Sequence, residues 1–440
     1  MGIENILFIV AFGAAVFLFS KNLRKIIRNI NLGRDVDLSD NKAERWKKML
    51  LVAIGQSKMV VKPVSGLMHI VVYAGFVIIN IEVLEIIIDG IFGTHRIFAE
   101  PLGGFYDFLI GSFEILAFLV LIAISVFFVR RNFMTIKRFG MKEMLGWPKT
   151  DANIILIVEV LLMGAFLNMN AADQILQVRS VEHYVVAGSY PISQFLVPVL
   201  EGLSTGTLVL LERSTWWFHI LGILAFLNYL PYSKHFHIML AFPSVFYSKL
   251  KPRGEFDNMD SVKKEVEMMF DPNADPYAAP AEPVGAPERF GAKDVTDLTW
   301  KSLMDAYTCT ECGRCSSMCP ASQTGKKLSP RKIIMDTRDR LEEVGTNIRK
   351  HGKDHDDGKS LLGDYITEEE LWACTSCNAC VQACPVNIDP LTIIIDLRRY
   401  LVMEESKVPS ELATMLTNIE NNGAPWQFSP MDRLKWAEED

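Results

Sequence analysis

Residues 307–320 read YTCTECGRCSSMCP, and residues 372–385 repeat the pattern as WACTSCNACVQACP. Each copy spaces its cysteines C-x2-C-x2-C-x3-C and closes on proline, the spacing that wraps a short loop around a cubane [4Fe-4S] cluster. Cys309, Cys312, Cys315, Cys319, Cys374, Cys377, Cys380 and Cys384 are all the cysteines of the chain, so none is left for a disulfide or a free nucleophile. Two quartets of thiols call for a reducing compartment, which places this part of the chain in the cytoplasm. Structural zinc, the competing use of four cysteines, favours two distant C-x2-C pairs; here three cysteines share one turn and a proline follows the fourth, twice. In two-cluster proteins the first three cysteines of one motif usually join the last of the other. One cluster is therefore expected on Cys309, Cys312, Cys315 and Cys384, and a second on Cys374, Cys377, Cys380 and Cys319.

Outward from these motifs the composition changes. The 440-residue chain is half hydrophobic with 22% charged residues, too apolar for an ordinary soluble enzyme, and its net charge of -7 argues against a nucleic-acid partner. Long apolar runs precede residue 250 and all cysteines follow it. The predicted organisation is a transmembrane domain (1–250), a Pro/Ala-rich linker (251–290) holding Pro272, Pro276, Pro280, Pro283 and Pro287, and a ferredoxin domain (291–440).

Five spans are expected, at Ile6–Ser20 with its flanks, Val64–Phe92, Phe105–Val129, from Ile154 onward, and Trp216–Tyr247. The first is no cleaved signal, because Gly, Ile, Glu and Asn precede it instead of Lys or Arg. Residues 40–62 read as an amphipathic helix on the inner membrane surface. Eleven Lys and Arg fall in 21–62 and six in 130–150, against one in 90–105 and two in 171–215, which puts the N-terminus outside and the C-terminus inside. Pro191–Leu211 is then a re-entrant or surface helix, since a sixth crossing would carry the cysteines outside. After the linker no strand pattern appears, while helices are signalled from Pro330, at a cap on Thr367, and over Leu391–Met403. The fold class is all-α: a five-helix transmembrane bundle plus a cytoplasmic α-helical two-cluster ferredoxin domain.

Histidines and acids inside the spans mark function, because burying them in lipid is costly. His69 and His237 lie level near the inner ends of the second and last spans, and two facing imidazoles are what a six-coordinate haem b needs. His219 and His237 are eighteen residues apart, five turns and about 27 Å on an ideal helix, on one face; His235 points nearly opposite. His219 is the candidate for a second haem, but the second-span positions level with it are Ile79 and Asn80, which cannot ligate iron, so it has no named partner. Glu82, Glu85, Asp89, Glu114 and Glu159 are either proton-relay or quinone-site acids or neutral acids paired with Asn, Tyr or backbone.

These residues carry a resemblance. CTECGRC, CPASQTGKKLSPR and CTSCNACVQACPVNIDP resemble the helical ferredoxin domain that forms the C subunit of heterodisulfide reductase. GLMH at 66–69 and FHILGILAFLNYLPYSKHFH at 218–237 resemble the gamma subunit of respiratory nitrate reductase. The resemblance implies a bacterial or archaeal cytoplasmic-membrane subunit that passes electrons between a cytoplasmic partner and quinone through two [4Fe-4S] clusters and haem b. The cysteine-rich CCG domains that carry catalysis in many such proteins do not occur in these residues, so a separate CCG-domain iron-sulfur subunit or a flavoprotein is the expected partner. The alternative is a membrane anchor for a ferredoxin module without haem or quinone chemistry of its own.

Overall fold

The computed structural model describes residues 2–252, 254–272 and 289–438. Five helices are long and apolar enough to cross a membrane: Ile3–Ile30, Pro63–Phe92, Gly104–Asn132, Trp147–Val178 and Thr205–Tyr232. Among the described residues there are no strands, only two isolated bridges, and the protein is an all-α transmembrane bundle joined to a helical domain. The spans start where the chain offers start signals. Pro63 and Pro148 sit in first turns, where a missing N–H costs nothing, and Ser204 accepts from the Thr207 N–H.

The fifth span departs from expectation. It begins at Thr205, eleven residues before the predicted Trp216, so the last third of the expected re-entrant segment belongs to it; only short turns at Ser193–Phe195 and Val197–Leu200 precede it. It also ends early. Pro231 lacks the N–H for the helical ladder, and the Ser233 hydroxyl accepts from the His235 N–H, so the chain passes through two single 3-10 turns and restarts as a separate helix, His237–Phe246. His237 therefore lies outside the span, at the start of a new helix.

The amphipathic segment is short, Lys42–Met49 continued by a wide turn to Ile54, and packs on helix His237–Phe246 through Met49, Ala53 and Val245. Arg45 is buried there, donating to the Phe246 and Ser248 carbonyls. The predicted linker contains a helix, Asp260–Phe270, and most of its prolines lie outside the described residues. The cysteine half is built on helices Trp300–Thr308, Pro330–His351 and Pro390–Met403, with Ser329 capping the second and a Thr367/Glu370 capping box opening the short helix Glu368–Trp372.

The two halves share one core. Ile26, Ile30, Leu230 and Phe236 from the bundle are buried with Leu303, Ile333, Leu341 and Leu397 from the cysteine half. Each such side chain contributes roughly 1.5–3 kcal/mol by burial. The Asn29 amide, fully buried, donates to the Tyr307 hydroxyl (2.8 Å) and accepts from Arg349 (3.0 Å). The bundle end that carries the cysteines is thus fused to them by packing and not only by sequence.

Candidate functional site

The two cysteine loops fold alike. Glu311 and Ser376, each just before the second cysteine, take left-handed backbone (φ 54° and 56°), as do Gly313 and Asn378 just after it (69° and 58°). This double reversal turns backbone N–H groups inward: Glu311 N–H points to Cys309 Sγ (3.4 Å), Ser376 N–H to Cys374 Sγ (3.4 Å), and Ile388 N–H to Cys384 Sγ (3.3 Å). Such bonds stabilise thiolate charge and tune a bound cluster. At Gly313 a side chain would run into the Arg331 guanidinium.

Cys309, Cys312, Cys315 and Cys384 line one small cavity, walled by Gly313, Ile334 and Pro385. The electrostatic neighbours of Cys374 and Cys380 include Cys319, the last cysteine of the other motif. Among the described residues no three His, Cys, Asp or Glu side chains converge on a single ion. Cysteines standing around a space, and not on a point, suit a cubane better than zinc. Burial pushes the free thiols of Cys309 and Cys384 up to about 12, so metal uptake must displace protons. Cys377 alone of the eight is exposed.

Above this loop lies a cavity of about 590 Å³, reaching from Cys312, Arg314 and Pro385 into the bundle past His69, His235 and His237 to His219. The His69 and His237 rings stand 6.5 Å apart between centroids. Two metal–nitrogen bonds of about 2 Å and roughly 1 Å from each nitrogen to its ring centre sum to about 6 Å, so the pair fits a bis-imidazole iron. The His237 Nδ1 hydrogen-bonds the Lys234 carbonyl (3.1 Å), leaving its other nitrogen for a metal, whereas His69 Nδ1 is buried without a partner. Arg131 and Arg138 line the same cavity, and the buried Arg138 Nε has no partner, which suits the carboxylates of a haem. His235 does not point away. The break at Pro231 voids the helical-wheel angle, and its ring lies 5.6 Å from that of His237. His219 is buried deeper, its Nδ1 held by the Leu162 carbonyl at 3.0 Å. Ile79 and Asn80 line the cavity with it and offer no iron ligand.

Several residues that carry no motif of their own hold this site. Lys234 hydrogen-bonds the Pro148 carbonyl (2.6 Å) and pairs with Glu311, inside the first cysteine loop. Arg338 takes the other Glu311 oxygen at 2.8 Å. Burial alone would raise the Glu311 carboxyl, but Lys234 and Arg338 outweigh it and hold it below the ordinary carboxylate range. The one local signal was a glutamate where the second motif has Ser376. The fully buried Arg331 likewise joins Glu143 (2.8 Å) and the Arg138 carbonyl (2.8 Å), and Lys58 reaches the Cys384 carbonyl (3.1 Å).

At the far end of the bundle most of the acids are paired. Arg96 donates to Asp173 (2.7 Å), Asn170 (3.0 Å) and Tyr106 (3.1 Å). Glu85 accepts from Tyr106 and the Phe98 N–H, and Glu114 from Asn170 and two backbone N–H groups. Asp89 accepts from Thr94 and the Arg96 N–H. Glu82 keeps one buried oxygen without a partner, and Glu159 lines the cavity.

Fold and site define a membrane-spanning iron-sulfur protein of electron transfer. Residues 304–388 match the family model described as a 4Fe-4S dicluster domain. The cysteine half is similar to heterodisulfide reductase subunits: over 22% of its length the chain is 29% identical to the C subunit of a ferredoxin:CoB-CoM heterodisulfide reductase of Methanosarcina mazei, covering 48% of that relative. Over 99% of its length it is 30% identical to the probable iron-sulfur-binding oxidoreductase FadF of Bacillus subtilis, and over 92% it is 26% identical to an EtfAB:quinone oxidoreductase of Syntrophomonas wolfei. The chain spans 61% and 55% of those two relatives' own lengths. No solved structure matches it.

Proposed function

We propose that the protein is a relay between a cytoplasmic redox partner and the quinone pool, through two [4Fe-4S] clusters and a haem b. The first cluster is held by Cys309, Cys312, Cys315 and Cys384, the second by Cys374, Cys377, Cys380 and Cys319, and the haem by His69 and His237. The observation that carries the reading is the single cavity that touches both His237 and Cys312. A haem held by His69 and His237 would then share one cavity with the first cysteine loop. Cys377, being exposed, sets the second cluster toward a partner, a CCG-domain iron-sulfur subunit or a flavoprotein. The name of the Syntrophomonas wolfei relative supports quinone and an electron-transferring flavoprotein as the two ends.

A haem b at this place supplies one-electron chemistry between the clusters and the membrane interior. The chain's own part is positional. The Lys234 carbonyl orients the His237 ring, its ammonium holds Glu311 in the first cysteine loop, and Arg131 and Arg138 neutralise carboxylates at the inner mouth. The membrane orientation is N-terminus outside, the cysteine half in the cytoplasm, and the transmembrane domain spans 1–250 and the ferredoxin domain 291–440. Iron and haem quantitation on the purified chain tests this: eight cluster irons and a b-type band in the reduced spectrum are expected, and His69→Ala or His237→Ala must abolish the band. A wild-type spectrum without a b-type band refutes the relay and leaves a membrane-anchored ferredoxin.

A further inference from the structure

The inner part of the large cavity is accounted for by the histidine pair, but the cavity continues to the middle of the bundle, where its polar groups have no assigned use. His219 is buried with Nδ1 bound to the Leu162 carbonyl at 3.0 Å, which fixes the ring as the Nδ1–H tautomer and leaves Nε2 a bare acceptor with no protein partner. Glu159 lies three residues, about one turn or 5 Å, inward of Leu162 on the same helix. It lines the same cavity and no described residue donates to it or pairs with it. An unpaired carboxyl and a bare imidazole nitrogen at membrane depth are costly unless something else satisfies them.

The cavity also opens sideways. Phe76 and Val77 of the second span line it and are 44% and 54% exposed, on the flank that lipid tails would face. A ligand soluble in the bilayer can enter there without crossing the polar inner end. The walls near this opening, Ile79, Val83, Val120 and Ile223, are aliphatic. Second-span positions on this side offer no iron ligand, so a second haem finds no partner for His219.

We infer that the mid-membrane part of this cavity, between His219 and Glu159, is the binding site for the quinone ring, entered from the lipid past Val77. The inference rests on the quinone end of the proposed relay and names its residues. A dihydroxy or dicarbonyl ring with oxygens at opposite edges matches one group per oxygen: a ring hydroxyl donates to His219 Nε2, and the Glu159 carboxyl pairs with the other oxygen. The isoprenoid tail leaves through the opening.

The test uses the full purified chain in nanodiscs and the fluorescent quinol analogue heptyl-hydroxyquinoline N-oxide, whose quenching reads binding without turnover. Wild type is expected to bind it. Glu159→Gln and His219→Ala each lose a buried hydrogen bond and weaken binding about tenfold or more, with haem per protein unchanged. Val77→Trp, which leaves both polar groups in place and only narrows the opening, is expected to slow or block binding. Unchanged affinity in both polar variants, absence of binding to wild type, or a fall in haem per protein in His219→Ala overturns the site, the last because it makes His219 an iron ligand. The outcomes separate from those of the relay: a chain without haem refutes the relay, while retention of the analogue by the nanodisc-embedded chain in equilibrium dialysis, which needs no quencher, still reads this site.

Discussion

Lys234→Met cuts the contact through which the bundle grips the first cysteine loop. Methionine nearly keeps the volume, so packing changes little. Removing one partner of a buried ion pair costs about 3–5 kcal/mol when the other is left alone. Glu311 is not left alone, because Arg338 stays at 2.8 Å, and Asp151 keeps the Tyr229 hydroxyl at 2.5 Å and the residue 234 N–H at 3.1 Å. The expected loss is therefore about 2–3 kcal/mol, including the stranded Pro148 carbonyl. If the loop must open to release its cluster, iron loss to a chelator should speed up roughly 30- to 160-fold. The assay is the decay of visible cluster absorbance under excess chelator at fixed temperature. Glu311→Gln in the same chain should recover most of the loss, and Arg338→Met should worsen it beyond the sum, since the carboxylate would then be buried unpaired. A change under about threefold, or no rescue by Glu311→Gln, refutes the junction as described.

Three further outcomes follow from the same structure. At Gly345 an added methyl would meet the buried Asn29 carboxamide; Gly345→Ala should cost about 1–3 kcal/mol by overpacking and quicken proteolysis between the first span and residue 42. If ligation crosses the motifs, the electron paramagnetic resonance spectrum of Cys319→Ser should resemble that of Cys374→Ser, and likeness to Cys309→Ser instead would reverse the assignment. The Arg340 hydrogen bond holds Asp357 down at about 2 from its ordinary 3.8. A depressed acid stabilises fully above its unfolded value and loses that contribution as pH falls through the folded one. An acid titration by circular dichroism should therefore show wild type losing stability from pH 3.8 toward 2 and Asp357→Asn losing less.

What was legible in the sequence was local. The C-x2-C-x2-C-x3-C spacing is a property of one loop's backbone, so the two left-handed turns that aim N–H groups at sulfur come with it. The His69 and His237 pairing was legible because level positions in spans of fixed rise meet in space. It survived a wrong premise, for His237 does not belong to the fifth span. The same premise misplaced His235, since an angle on a helical wheel means nothing across the Pro231 break. The Lys234, Glu311 and Arg338 contacts join residues 77 and 27 positions apart, and no periodicity encodes such distances.

The shared core bears on the anchor alternative. A tether needs only a span and a linker, and it gains nothing from burying Asn29, Lys234 and Arg331 at the seam. Burying charged and amide groups costs free energy that aliphatic packing would avoid. Their position is specific: Lys234 meets the cysteine loop with its ammonium and the His237 ring with its carbonyl, and Arg331 stands beside the Gly313 turn of that loop. Such contacts fix a distance between the imidazole pair and the first cysteine quartet, and electron transfer is the chemistry for which a fixed distance matters. A chain that merely hung its ferredoxin from the membrane would carry no haem whose potential Lys234→Met could move. The proposed relay should show both a haem shift and a cluster shift, because removing one cation beside Glu311 would alter the field at both centres.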